Sequence, residues 1–305
     1  MQILITGGTG FIGQALVPSL AGRGHAVRVL SRRTAPPTGW PPNVNLVSWA
    51  GPPDPIPASA LAGVDAVVNL AGESIGGGRW TQRRKDLIFA SRIDTTRTLV
   101  QQIAAARVKP KVVINASAIG YYGPHGDEEL SEASPPGNDF LATVCSHWEE
   151  EAKPLVRHGV RLALVRTGIV LERDGGALPK MLLPFRLGIG GPVGSGQQVM
   201  SWIHRDDLVN LYVFILQTDR LSGPINATAP APVTNREFAS VLGRVMRRPA
   251  FMPTPGFVLR LMLGEMSDLV LTGQRVLPKR ALEFGFAFKY PGLSDALRTI
   301  LQKIS

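Results

Sequence analysis

The chain has 305 residues, 44% of them hydrophobic and 18% charged, enough to bury a sizeable core and more than one small domain requires. A formal net charge of +10 would ordinarily raise nucleic acid or an anionic membrane, but Arg supplies 25 of the 33 basic residues and no basic run is interleaved with aromatics, which argues against a nucleic-acid face. The single cysteine, Cys145, excludes an internal disulfide and a cysteine-rich metal centre, and the five histidines show no pair at ligand spacing, so no metal is expected.

Ile3, Leu4 and Ile5 predict a short strand. Gly7, Gly10 and Gly13 follow at the spacing G-x-x-G-x-x-G, and Phe11, Ile12, Ala15, Leu16 and Leu20 recur at roughly helical intervals. Strand, glycine turn and helix in that order predict a dinucleotide site. One glycine makes the turn, one lets backbone approach a pyrophosphate, and one lets helix and strand pack closely, with the phosphates on amides of a helix N-terminus. The next strand, Ala26 to Leu30, decides which dinucleotide. A pocket for NAD usually carries Asp or Glu there to hold the ribose hydroxyls. This chain has Ser31, Arg32 and Arg33 instead, and its first acidic residue is Asp54. A guanidinium beside a hydroxyl suits a 2′-phosphate, so NADP(H) is expected as the cofactor.

Residues 34–57 are crowded with Pro and Gly around a short third strand, Val44 to Trp49. Val64 to Leu70 predicts a buried strand running into Asn69-Leu70-Ala71-Gly72, a turn of small residues that should face the cofactor. A helix from Trp80 to Ala106, a strand from Val112 to Asn115 ending in the run Ala116 to Gly123, a helix from Phe140 to Val156 and a strand from Arg161 to Val165 follow. This alternation predicts an α/β fold with a Rossmann-type doubly wound parallel sheet. Beyond Gly175, Gly and Pro punctuate residues 180–197, Asp206 and Asp207 are expected to cap a helix from Leu208 to Leu216, and Pro224 to Ala227 reads as a last strand. Helices over Asn235 to Arg247, Pro255 to Leu263 and Leu293 to Leu301 predict a smaller, mainly helical lobe. The expected division is residues 1–170 plus about 205–228 against about 171–204 plus 229–305. The longest apolar run, Leu208 to Leu216, is too short to cross a bilayer and no leader pattern opens the chain, so a cytoplasmic protein without membrane or nucleic-acid partners, monomeric or homodimeric, is expected.

The blocks TGGTGFIG, NLAGESI, SRIDTTR, LLPFRLGIGGPVGSG, MSWIHRDDL and GQRVLPKRALEFGF run from the first residues to the last helices. In them the chain resembles the extended short-chain dehydrogenase/reductases, and within these the branch called epimerase family protein. The resemblance implies an NADP-binding Rossmann domain with a C-terminal lobe over the nicotinamide end. Carried over by position, it implies Thr9, Gly10, Phe11 and Ile12 at the pyrophosphate, Ser31 and Arg32 at the 2′-phosphate, and Leu70 and Ala71 at the adenosine and riboses. It further places Val170 at the nicotinamide, and Arg92 near the cofactor, where related sugar epimerases usually carry Asn.

The resemblance breaks at the chemistry. The superfamily uses a tyrosine as general acid/base, a lysine four residues later to lower its pKa, and a serine to orient the reacting carbonyl. The residues four after Tyr121, Tyr122, Tyr212 and Tyr290 are His125, Gly126, Leu216 and Ser294, so the pair is absent. Phe140 or Leu141 stands near the tyrosine position, Cys145 near the lysine position and Ala118 at the serine position. Ser117, Tyr121 and Tyr122 are the candidate catalytic residues, with Glu73, His147 and His204 as further members of a rebuilt acid/base set. Two readings stand: an NADP(H)-dependent oxidoreductase or epimerase-like enzyme acting on an unknown carbonyl or sugar-type small molecule, or a non-catalytic NADPH-binding sensor.

Overall fold

The computed structural model describes residues 1–302. Five strands, β1 (Gln2–Thr6), β2 (Ala26–Ser31), β3 (Val44–Ser48), β4 (Ala66–Asn69) and β5 (Val112–Ala118), are interleaved with helices α1 (Gly13–Gly22) and α2 (Gln82–Ala105). Then come α3 (Phe140–Ala152), β6 (Arg161–Thr167), β7 (Ile169–Glu172), α4 (Leu178–Arg186), β8 (Trp202–His204), α5 (Arg205–Gln217) and β9 (Gly223–Ala227). The chain closes with α6 (Asn235–Met246), α7 (Gly256–Leu263) and α8 (Leu293–Gln302).

Seven strands form one parallel sheet in the order β9-β6-β5-β4-β1-β2-β3. Its strands are apolar on both sides, and alternate residues feed opposite cores. Ile3, Ile5, Val27 and Val29 pack with α1 and α5, whereas Leu4, Leu30 and Val67 pack with Leu99 and Ile103 of α2. Each such fully buried aliphatic side chain contributes roughly 1.5–3 kcal/mol. The strand order reverses between β1 and β4, and it is outside the carboxyl ends of strands at such a reversal that a doubly wound sheet binds its ligand.

A third core joins Leu178, Leu182 and Phe185 of α4 to Phe238 and Leu242 of α6 and Leu297 and Ile300 of α8, around the fully buried Trp202. This is the smaller lobe. One segment departs from the expected division: Ala281, Phe284, Phe286 and Phe288 pack on the core of the large sheet, not on the lobe. A two-residue strand, Arg275–Val276, also pairs in parallel with Glu129–Leu130, so this part of the chain is tied to the large domain.

Several elements differ from expectation for local reasons. The helix expected from 140 to 156 stops at Ala152, because Pro154 cannot continue the hydrogen-bond ladder and instead opens a separate short helix, Pro154–Arg157. Helix α4 lies inside the Gly/Pro-rich stretch; Pro179 sits in its first turn, where the missing amide costs nothing. His204, not Asp206 or Asp207, caps α5: its Nδ1 accepts the Asp206 amide at 3.0 Å, and the two acids occupy the first turn, where they favour the helix dipole. Strand β5 extends three residues further than expected, to Ala118. Among the described residues no helix is long and apolar enough to cross a membrane.

Candidate functional site

The glycine turn is built as its spacing requires. Gly7 has φ +69°, and a Cβ there would lie 2.7 Å from the carbonyl of Leu70 in the neighbouring turn. At Gly13 a Cβ would fall 2.5 Å from the Gly8 backbone, so this glycine serves close packing. Gly10 is exposed, its amide donates to the Gly7 carbonyl at 2.9 Å, and only that carbonyl, at 3.1 Å, would meet a Cβ. Helical bonding begins with the Gln14 amide on the Gly10 carbonyl. No side chain caps α1 and its first turn holds no acidic residue. The amides of Phe11, Ile12 and Gly13 therefore present the positive end of a helix to an anion. Thr9 is half-buried beside them, its carbonyl held by Gln14 Nε2 at 3.0 Å. A Cβ on Gly175 or Gly176 would run into the ring of Phe11, so the hairpin after β7 lies across the start of the helix.

At the end of β2, Ser31 is buried and accepts the Arg33 amide at 3.0 Å, while the side chains of Arg32 and Arg33 reach solvent. Leu70 and Ala71 are half-buried at the end of β4, and the Ala71 amide donates to Thr6 Oγ1 at 3.3 Å. Beneath them runs a polar seam missed in the sequence. Thr6 donates to Asn69, whose amide donates to Asn115 at 2.7 Å and to Thr96 Oγ1 at 2.9 Å, and Trp148 Nε1 also donates to Thr96 at 2.9 Å. Its signal was available: β1, β4 and the expected β5 each end an apolar run on a polar residue at the same level. Thr6, Asn69 and Asn115 satisfy one another in register across three strands.

At the carboxyl ends of β5 and β6 the candidate catalytic residues part company. Arg166 and Glu149 are buried and joined by two hydrogen bonds, each 2.8 Å. Burial alone would lower the Arg166 pKa, but the bonds and charge of Glu149 outweigh it and hold it above its ordinary value. Ser117 Oγ donates to Glu149 at 2.7 Å. Tyr122 is fully buried; its hydroxyl donates to Asn226 at 2.6 Å and accepts from Arg166 at 3.0 Å, and burial pushes its pKa up to about 12. Ser117 and Tyr122 are thus enclosed under the strand ends. The expectation that they carry protons at the cofactor face does not fit this placement, because the longer β5 and the 3-10 turn Ile119–Tyr122 direct them into the core. Tyr121 is half-buried, with the Arg166 guanidinium 3.5 Å from its ring centroid and the Tyr122 ring edge-on at 5.3 Å. It is the less deeply buried of the two adjacent phenols.

Helices α2 and α3 pack beside the turn after β5. A Cβ at Gly120 would lie 3.2 Å from Leu141 and 3.9 Å from Cys145 Sγ, so the positions matched to the missing tyrosine and lysine do converge on the turn after β5. Burial pushes the Cys145 thiol up to about 12, which keeps it protonated and unreactive. Burial lowers the pKa of Arg92, whose guanidinium sits over Trp148 at 5.2 Å. Glu73 is paired with Arg84 at 3.0 Å. His147 is exposed on α3, its Nδ1 2.9 Å from the Thr143 carbonyl, and His204 is a buried helix cap with its ring 4.0 Å from that of Tyr290. Val170 is half-buried on β7, paired with Ile203. Glu132, not singled out in the sequence, accepts the amides of Asn226 and Arg280 at 3.0 and 3.2 Å and ties the segment around Arg280 to the edge of the large sheet; burial raises its pKa despite those bonds. Among the described residues no group of three or more His, Cys, Asp and Glu side chains could hold a metal ion.

A doubly wound sheet with a glycine turn and an uncapped helix at its switch point defines a dinucleotide-binding Rossmann protein. The chain belongs to the NAD dependent epimerase/dehydratase family, whose profile matches residues 3–227, and a domain of unknown function (DUF1731) matches residues 254–300. It is 44% identical over 99% of its length to the "Epimerase family protein SDR39U1 homolog, chloroplastic" of Arabidopsis thaliana, covering 87% of that relative. Identity to the "Epimerase family protein SDR39U1" of Mus musculus is 40%, covering 99% of this chain and 100% of the mouse protein. A crystal structure of the human epimerase family protein SDR39U1 (isoform 2) with NADPH superposes with a TM-score of 0.88 at 37% identity, covering 100% of both chains.

Proposed function

We propose that this protein binds NADP(H) across the carboxyl ends of β1, β2 and β4 and acts as an oxidoreductase or epimerase-like enzyme on a small carbonyl or sugar-type molecule. The observation that carries the reading is the uncapped N-terminus of α1 at the switch point, with Arg32 exposed at the end of β2 where a ribose-binding acid would stand. The human relative with NADPH supports it. When bound, the cofactor supplies or accepts a hydride. The chain's own work is to hold the pyrophosphate on the amides of Phe11 to Gly13, the 2′-phosphate at Ser31 and Arg32, and the adenosine side against Leu70 and Ala71. Val170 would flank the nicotinamide. Tyr121, half-buried with the Arg166 guanidinium on its face, is the phenol to which this reading assigns the proton transfer. General acid/base help is typically worth about 10²–10⁴ in rate, so Tyr121→Phe should lower turnover by that order while NADPH affinity stays unchanged. NADPH oxidation across a panel of carbonyl compounds and nucleotide sugars provides the assay.

One observation favours a second reading. By the resemblance, Ala118 stands at the superfamily's serine position, Phe140 or Leu141 near its tyrosine position and Cys145 near its lysine position, so the usual proton path is apolar or inert. A wild type that binds NADPH and oxidises it with no member of the panel is a sensor, not an enzyme.

A further inference from the structure

Thirteen large apolar side chains are exposed among the described residues, and eight of them fall in two segments, 183–189 and 251–262. Phe251, Phe257 and Leu261 are each between 72% and 76% exposed. The fold brings the two segments together. The Met252 amide donates to the Gly190 carbonyl at 3.1 Å, the Thr254 amide to the Pro192 carbonyl at 2.9 Å, and the Gly194 amide to the Thr254 carbonyl at 2.9 Å. Helix α7 starts two residues later, with Phe257 and Leu261 one turn apart on one face, and no residue of it is buried. It is held by its backbone instead: Arg79, in the loop after β4, donates to the carbonyls of Leu261 and Met262, the latter at 2.9 Å. Scattered apolar side chains on a surface are ordinary, but a cluster of this size marks an interaction face.

The charge around this face has one sign. Arg186 and Arg260 adjoin Leu187 and Leu261 in the chain, Arg247 and Arg248 shortly precede Phe251, and all four are exposed. None of the four is in an ion pair among the described residues. No acidic residue occurs in 175–205 or 238–264, and Glu265, just beyond α7, is taken up by Lys85. We propose that this face docks on an anionic lipid surface, with Phe257 and Leu261 entering the headgroup boundary and the arginines meeting lipid phosphates and carboxylates. Protruding aromatic and aliphatic side chains beside unpaired cations are what such a surface holds. A second copy of the chain fits less well, because it would set these arginines against their own kind with no acid to answer them. Docking also gives a use to the net charge of +10, which the cofactor site leaves unexplained. Read in order, the sequence predicts no membrane partner because the residues come from two segments that only the pairing of 190–194 with 252–254 unites.

Sedimentation of the full chain with sucrose-loaded vesicles tests this, comparing phosphatidylcholine alone with phosphatidylcholine carrying about one-third phosphatidylserine. The wild type should partition onto the anionic vesicles about tenfold or more above the neutral ones, and the excess should shrink as salt is raised. Phe257→Gln/Leu261→Gln should lower that partitioning about tenfold or more through the apolar contact, and Arg186→Gln/Arg260→Gln likewise through the charge. Both variants should keep the thermal midpoint of the wild type, because all four side chains are exposed. Absence of binding to anionic vesicles would overturn the proposal. So would binding that both variants retain, which would place the contact elsewhere on the cationic surface. Self-association in sedimentation velocity, abolished by Phe257→Gln/Leu261→Gln in a protein that ignores vesicles, would make the face a contact between two copies and overturn it as well.

Discussion

Glu149→Ala is expected to destabilise the protein by about 3–5 kcal/mol, the cost of leaving one member of a buried ion pair without its partner. The pair is enclosed on every side: both side chains are 4% exposed, Glu149 takes two hydrogen bonds from Arg166 and one from Ser117, and Arg166 also donates to Tyr122. Removing the carboxylate strands a guanidinium under the carboxyl ends of β5 and β6 and releases the face of Tyr121. Glu149→Gln keeps hydrogen-bonding capacity without the charge and should lose less. Urea unfolding followed by circular dichroism measures both, with the midpoint lowered and the slope unchanged. A loss under about 1 kcal/mol for the alanine variant would show that the network does not hold these strand ends together.

Gly10→Val should reduce NADP(H) affinity by about 100-fold or more and leave the chain folded. A branched side chain there stands in the path of the pyrophosphate, and two charge-assisted bonds at about 1.5–3 kcal/mol each make up the loss. The fold survives because the position is exposed and its only close neighbour is the Gly7 carbonyl. Gly13→Ala provides the contrast: its Cβ would meet the Gly8 backbone, so its thermal midpoint should fall before its affinity can be judged. Calorimetric titration with NADPH beside thermal unfolding of each variant separates the two roles. A Gly10→Val protein that binds as tightly as wild type would remove the pyrophosphate from this turn.

Much of this division of labour was legible in residue spacing. The run from Ile3 to Arg33 encodes strand, turn, helix and strand because apolar periodicity, glycine and the absence of acids are all local signals. The doubly wound order followed from the same alternation further along. Pairings between distant positions were not legible. Nothing local marks Glu149 as the partner of Arg166, Glu132 as the acceptor for Asn226 and Arg280, or Tyr122 as a core residue when Tyr121 beside it is half-exposed. The turn after β5 decides that, enclosing one phenol and leaving its neighbour half-exposed. Proline misled in two ways: Pro154 breaks a pattern that looks continuous, and the Gly/Pro punctuation around α4 hides a helix whose apolar face packs into the lobe. The Phe-rich segment near 284–288 follows the apolar surface of the sheet rather than the chain's own division into lobes.

The identity of the cofactor is tested most directly by a calorimetric titration of the full chain with NADPH and with NADH under identical salt. Ser31 and Arg32 at the end of β2 predict NADPH binding at least about tenfold tighter than NADH, with Arg32→Ala erasing most of the difference through NADPH alone. Equal affinities for the two nucleotides, or a preference that survives Arg32→Ala, would contradict it.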